Sequence, residues 1–137
     1  MIWIGIDPGT HTGLAVWDAQ AKQFLKIETT VIHRAMREVA SLYAQHRQDG
    51  VIVRFEDARQ RTWFGTAGRE QLQGAGSIKR DCSIWEDFLA DAGISFMALP
   101  PKASRTKMRP EAFRRITGWD SRCSEHARDA AMLVFGL

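Results

Sequence analysis

The chain has 137 residues, 45% of them hydrophobic and 26% charged, with a net charge of +3. These values describe one globular domain with a sizeable core, residues 1–137; no apolar run approaches the roughly 20 residues of a membrane span, and the N-terminus lacks the basic start, apolar segment and cleavage site of a signal peptide. Cys82 and Cys123 lack metal-ligand spacing, so reduced, packed thiols in a cytoplasmic protein are expected.

Residues 2–6 and 14–18 read as two strands joined by a Pro8-Gly9 turn, and 23–29 as a third strand with polar alternation. From Val31 to about Arg47, apolar residues recur at helical spacing, and Asp49-Gly50 closes the helix. Val51-Ile-Val-Arg-Phe55 is a short buried strand ending in Glu56-Asp57, followed by a loop over 58–69 rich in Arg, Gly and aromatics. A helix is predicted from about Arg69 to Ala92, its first half weakened by Gly74 and Gly76. Ile94 to Leu99 is another strand, stopped by Pro100-Pro101. Pro110 opens a short helix to about Thr117, and Ser124 caps a last helix to about Phe135. The order predicts an α/β domain built on a mixed five-stranded sheet: an antiparallel meander of three strands, then parallel strands, flanked by helices.

Asp7 ends the first apolar run and is followed by Pro8-Gly9-Thr10-His11-Thr12-Gly13. A carboxylate at a strand end beside a glycine-rich turn can hold a metal ion or a phosphate, because the turn lets backbone approach closely and the strand fixes the side chain. If the first and fourth strands are parallel neighbours, Glu56 lies on the same sheet edge, the usual place for a site in an open α/β sheet. On the last helix, His126 and Asp129 share a face three residues apart. Oxygen-rich donors with one nitrogen favour Mg²⁺ or Mn²⁺ over zinc. Each acid also has a plainer reading as a turn cap, a solvated strand end or a first-turn helix residue. Asp57 is expected not to be a ligand, and Asp18, Asp120 and Glu125 are expected to face solvent.

Basic residues crowd the last two thirds of the chain, interleaved with Trp63, Phe64 and Trp119. Basic side chains neutralise phosphates and aromatic faces stack on bases. The expected nucleic-acid contacts are Trp63, Phe64, Arg69, Lys79, Arg80, Arg105 and Lys107. Trp63 and Phe64 have a packing alternative, and Lys107 a solvated one.

Three blocks in order resemble the RuvC-type Holliday junction resolvases of the RNase H-like superfamily. The opening Gly5-Ile-Asp7-Pro-Gly-Thr-His-Thr-Gly13 is similar to that family's first acidic turn, Phe55-Glu56 to its second acidic strand end, and His126-Ala-Arg-Asp129-Ala130 to its closing His-x-x-Asp-Ala. Together they span nearly the whole domain. The resemblance implies an RNase H-like fold, a homodimer, a compact phage or prophage version of the family, and Asp7, Glu56, His126 and Asp129 as the catalytic, metal-binding residues.

 It also implies that two Mg²⁺ ions (Mn²⁺ as a substitute) sit about 4 Å apart across the scissile phosphate. Asp7 would bridge them, Glu56 and Asp129 would each help hold one, and His126 would be a ligand or position the water. The product would carry a 5′-phosphate, and the substrate would be branched DNA, a four-way junction above all, cut symmetrically by a two-fold dimer without a small-molecule cofactor or a membrane. Two other functions fit parts of the sequence: a YqgF-like RNA-processing nuclease, and a non-catalytic branched-DNA-binding protein.

Overall fold

The computed structural model describes residues 1–60, 69–101 and 107–137. In chain order the elements are β1 (Ile2–Asp7), β2 (His11–Asp18), β3 (Gln23–Val31), α1 (Ile32–Gln45), β4 (Val51–Glu56), a 3-10 turn (Ala58–Gln60), α2 (Arg69–Asp91), β5 (Ser95–Leu99), α3 (Pro110–Thr117) and α4 (Glu125–Met132). Among the described residues the strands form one sheet in the order β3-β2-β1-β4-β5. β1, β2 and β3 pair antiparallel, while β4 pairs parallel with both β1 and β5. This is the mixed α/β sheet that the element order implies.

Some boundaries differ from expectation, among them the start of β2 and the end of α4, for local reasons. β2 begins at His11 rather than at residue 14, because Thr12 and Gly13 continue the ladder, with Gly13 opposite Asp7. Neither residue carries an apolar side chain to advertise a strand, yet Thr12 is fully buried and its hydroxyl donates to the Gly9 carbonyl at 2.8 Å. α2 spans Arg69–Asp91, as expected, and runs through Gly74 and Gly76 without a break. α4 stops at Met132, where Leu133 and Val134 turn back to the carbonyls of Ala130 and Ala131.

Strand side chains alternate between faces, and the two faces are covered by different helices. Ile2, Ile4 and Ile6 of β1 pack with Val51, Val53 and Phe55 of β4 against Ala35 and Val39 of α1 and Cys82, Trp85 and Leu89 of α2. The opposite face carries Ala15, Trp17 and Ile27 against Phe113 of α3 and Ala127, Ala130, Ala131 and Val134. Trp3 packs on this second face, so Gly5 and Asp7, in step with it along β1, share that face. Arg54 also belongs there: its guanidinium lies 5.0 Å from the Trp3 ring centroid and donates to the Leu133 carbonyl at 3.3 Å. Both cysteines are free thiols, with Cys82 buried, as expected. No helix among the described residues is long and apolar enough to cross a membrane.

Candidate active site

The parallel register of β1 and β4 pairs Ile6 with Phe55. The next residue on each strand is an acid, Asp7 on β1 and Glu56 on β4, so two carboxylates reach the same sheet edge. Alternation sends both to the face that carries α4. The turn after Asp7 is held by the Thr12 hydroxyl on Gly9.

α4 supplies the other two residues, and glycine decides how closely it approaches. A Cβ on Gly5 would stand 2.0 Å from the Ala130 carbonyl oxygen, and one on Gly13 would stand 2.0 Å from the carbonyl oxygen of His126. Both lie inside real atoms, so the helix backbone rests directly on the backbone of β1 and β2. Fully buried Ala127, Ala130 and Ala131 complete this close seat. Ser124 caps the helix by accepting from the Ala127 amide at 3.2 Å, as expected, and its hydroxyl also hydrogen-bonds Thr29 of β3. The start of α4 is thereby fixed above the strand ends. His126 Nδ1 lies 2.9 Å from Asp7 Oδ2, and Asp129 follows on the same side of the helix.

The electrostatics mark this edge as an acidic cluster. The Asp7 carboxyl is pushed up to about 6, first by burial; the hydrogen bond from His126 opposes that rise, and the negative charges of Asp129 and Glu56 add to it. Its side chain is only 17% exposed, against 50% for His126. A buried carboxyl whose proton affinity is raised by two neighbouring acids suits a cation, which removes the repulsion. The donors, three carboxylates and an imidazole, suit a hard divalent ion in their chemistry. Among the described residues no group of three or more His, Cys, Asp or Glu side chains is already gathered to hold one.

Lys107 stands at the border of this cluster. It pairs with Glu125, the first residue of α4, and that bond raises the lysine's proton affinity, with smaller contributions from Asp129 and Asp7. Arg128 fixes the adjoining backbone: buried, it donates to the Met108 carbonyl at 3.0 Å and to the Cys123 carbonyl at 2.7 Å. Glu125, Asp18 and Asp120 are on the surface as expected, although Glu125 is engaged by Lys107 rather than simply solvated.

Asp57 takes the opposite direction from Glu56. It is 3% exposed and accepts from Arg59 Nε at 2.7 Å and Arg59 Nη2 at 2.9 Å. Arg59 continues to Glu86 of α2 at 2.5 Å and to the Ser83 hydroxyl at 3.3 Å. Burial pushes the Asp57 carboxyl up, but the bonds from Arg59 and Gln60 outweigh it and hold the group below its ordinary range. This acid ties the end of β4 to α2 on the other face of the sheet.

Several basic and aromatic residues are spent inside the protein. Arg54, Arg59 and Arg128 bind the internal partners already given. Trp119 packs beside Phe24, ring centroids 6.3 Å apart, and joins the second core rather than offering a face to a base. Lys79 and Arg80 lie on α2, Arg80 exposed and Lys79 half-buried, and Arg69 begins that helix. Trp63, Phe64 and Arg105 lie outside the described residues. Gly5 and Gly13 are the positions that motif reading missed as makers of the site. Their signal was glycine inside a strand, which often marks close approach by another backbone.

No protein-family model matches the chain, and no curated protein matches it in sequence. Solved structures do match. One is T. thermophilus RuvC in complex with a Holliday junction substrate, with a TM-score of 0.56, 21% identity, and coverage of 95% of this chain and 88% of that one. The likeness establishes the fold: a mixed five-stranded sheet flanked by helices, shared with an RNase H-like RuvC protein.

Proposed function

We propose that the chain is a divalent-metal-dependent endonuclease that nicks branched DNA, four-way junctions in particular, and leaves 5′-phosphate ends. The observation that carries this reading is the convergence of Asp7, Glu56 and the His126/Asp129 pair, from three elements, on one sheet edge. The shared fold with a RuvC protein whose structure holds a Holliday junction supports the choice of DNA. Symmetric nicking calls for a homodimer, with two sites related by a two-fold axis. The cytoplasm is the compartment in which such an enzyme would meet its substrate.

Asp7, Glu56 and Asp129 would hold Mg²⁺, or Mn²⁺ in its place, with His126 either joining them or positioning water. Bound ions of this kind lower the pKa of a water molecule and stabilise the leaving oxygen. The protein's own contribution is placement. β1 and β4 hold two carboxylates at fixed spacing, while α4 brings the imidazole and third carboxylate over them. In hydrolysis a water oxygen bonds to phosphorus, the P–O3′ bond breaks and the 3′-oxygen leaves with a proton. Half-exposed His126 would take or pass the water's proton. Lys107, at the border, offers its ammonium to an incoming phosphate in exchange for Glu125.

An end-labelled four-way junction and its matched linear duplex, incubated with the protein in Mg²⁺ or EDTA, test the reading beside Asp7→Asn. Paired symmetric nicks on the junction, dependent on Mg²⁺ and absent in the variant, are expected. Junction binding without cleavage in either Mg²⁺ or Mn²⁺ would overturn the enzyme and leave a binding protein. Cleavage of structured RNA alone would overturn the choice of DNA.

A further inference from the structure

Four arginines on and around α3 belong neither to the site nor to the core. Arg109, Arg114, Arg115 and Arg122 are all exposed, and among the described residues their guanidinium groups make no hydrogen bond or ion pair. In this they differ from Arg54, Arg59 and Arg128, which hold internal partners. The stretch 109–122 sets these four against two acids, Glu111 and Asp120.

Helix electrostatics explains only part of the pattern. Arg114 and Arg115 fall in the last turn of α3, where a cation suits the helix dipole. Arg109 occupies the N-cap, where a cation is disfavoured and where this side chain makes no capping bond. Arg122 lies beyond the helix. Another requirement has collected positive charge here.

Position supplies that requirement. Arg109 follows Lys107, paired to the start of α4, and Met108, whose carbonyl Arg128 holds. α3 thus begins at the border of the acidic edge, and buried Phe113 anchors it on the α4 face of the sheet. Its 8 residues extend about 12 Å from that border, roughly three to four nucleotide steps of a DNA strand.

We propose that the exposed side of α3, with Arg109, Arg114, Arg115 and Arg122, is a track for the phosphate backbone of a duplex arm leaving the cut site. This rests on the proposed nuclease function and adds a second contact surface to it. The track reads charge and carries no sequence preference.

The test is junction binding by the full chain in EDTA, followed by fluorescence anisotropy across a salt series. Arg114→Gln with Arg115→Gln is compared with Arg34→Gln and Arg37→Gln, two exposed arginines of α1 on the opposite layer. If each track arginine meets one phosphate, the first pair lowers the slope of log K against log salt by about 1.8. The α1 pair leaves it unchanged, and Arg114→Lys with Arg115→Lys restores it, because charge is what the contact needs. A wild-type slope in the α3 pair, or equal losses in both pairs, overturns the track while leaving junction binding intact. Failure of the wild-type chain to bind any branched DNA overturns the functional reading and the track together.

Discussion

On the α1/α2 face the sheet is covered by large side chains, with Ile4, Val53, Phe55, Trp85 and Leu89 wholly buried. On the α4 face, helix backbone meets strand backbone over Gly5 and Gly13. The first kind of contact adjusts by repacking and tolerates swaps that conserve volume. The second has no side chain to adjust, so any added atom moves the helix. It is also the contact that places His126 and Asp129, so the geometry of the proposed site depends on packing with little room to give. The neighbours Glu56 and Asp57 repeat the division. One residue apart, they face opposite ways, one toward the acidic cluster and the other into a bonded network with α2.

Substitution of glycine should expose the contrast most strongly. Gly13→Ala, which drives a Cβ into the His126 carbonyl, should destabilise the protein by about 3 kcal/mol and lower cleavage at least about 100-fold. The same change at Gly74 or Gly76 of α2, where a Cβ meets nothing within 4 Å, should stabilise by up to about 1 kcal/mol. Urea melts read both, and equal effects at the two kinds of site would break the comparison. Next in size is Asp57→Ala, which strips Arg59 of its buried partner and should cost about 2 kcal/mol. Glu56→Gln should instead leave the melting temperature nearly unchanged while lowering cleavage at least about 100-fold.

Asp7 allows a pH test of the cluster. Because its carboxyl titrates near 6 in the folded protein and at 3.8 ordinarily, the folded state binds more protons between those values. Metal-free stability therefore falls as pH rises through that window and stays lower above it. Asp7→Asn should remove this loss, stabilising the metal-free chain by roughly 2 kcal/mol at pH 8 and little at pH 4, as thermal melts in EDTA would show. The smallest effect belongs to Glu125→Gln. It should leave the melting temperature unchanged, since the pair with Lys107 is on the surface, and alter only how Lys107 meets a phosphate.

Much of this arrangement was legible from residues alone. Apolar alternation marks the strands, helical spacing marks α1, and acids at strand ends announce Asp7 and Glu56. The seating of α4 was harder to see, because Gly13 looks like part of a turn and only the ladder opposite Asp7 makes it a strand residue. Facing could have been counted: Asp57 follows Phe55 by two along β4, so it shares that residue's side of the sheet. The destinations of Arg54, Arg59 and Arg128 depended on distant partners, such as the Leu133 carbonyl, Glu86 and the Met108 carbonyl. Charge counts along a chain do not report such pairings, and they made the basic surface look larger than it is.

The most direct test is a Mn²⁺ titration of the full chain, followed by electron paramagnetic resonance, beside Glu56→Gln and Asp57→Asn. The expected result is Mn²⁺ bound by the wild-type protein and by Asp57→Asn, with binding weakened at least about 10-fold in Glu56→Gln. Equal Mn²⁺ binding by all three proteins, or none by the wild type, would contradict a metal site built from the α4 face of the sheet.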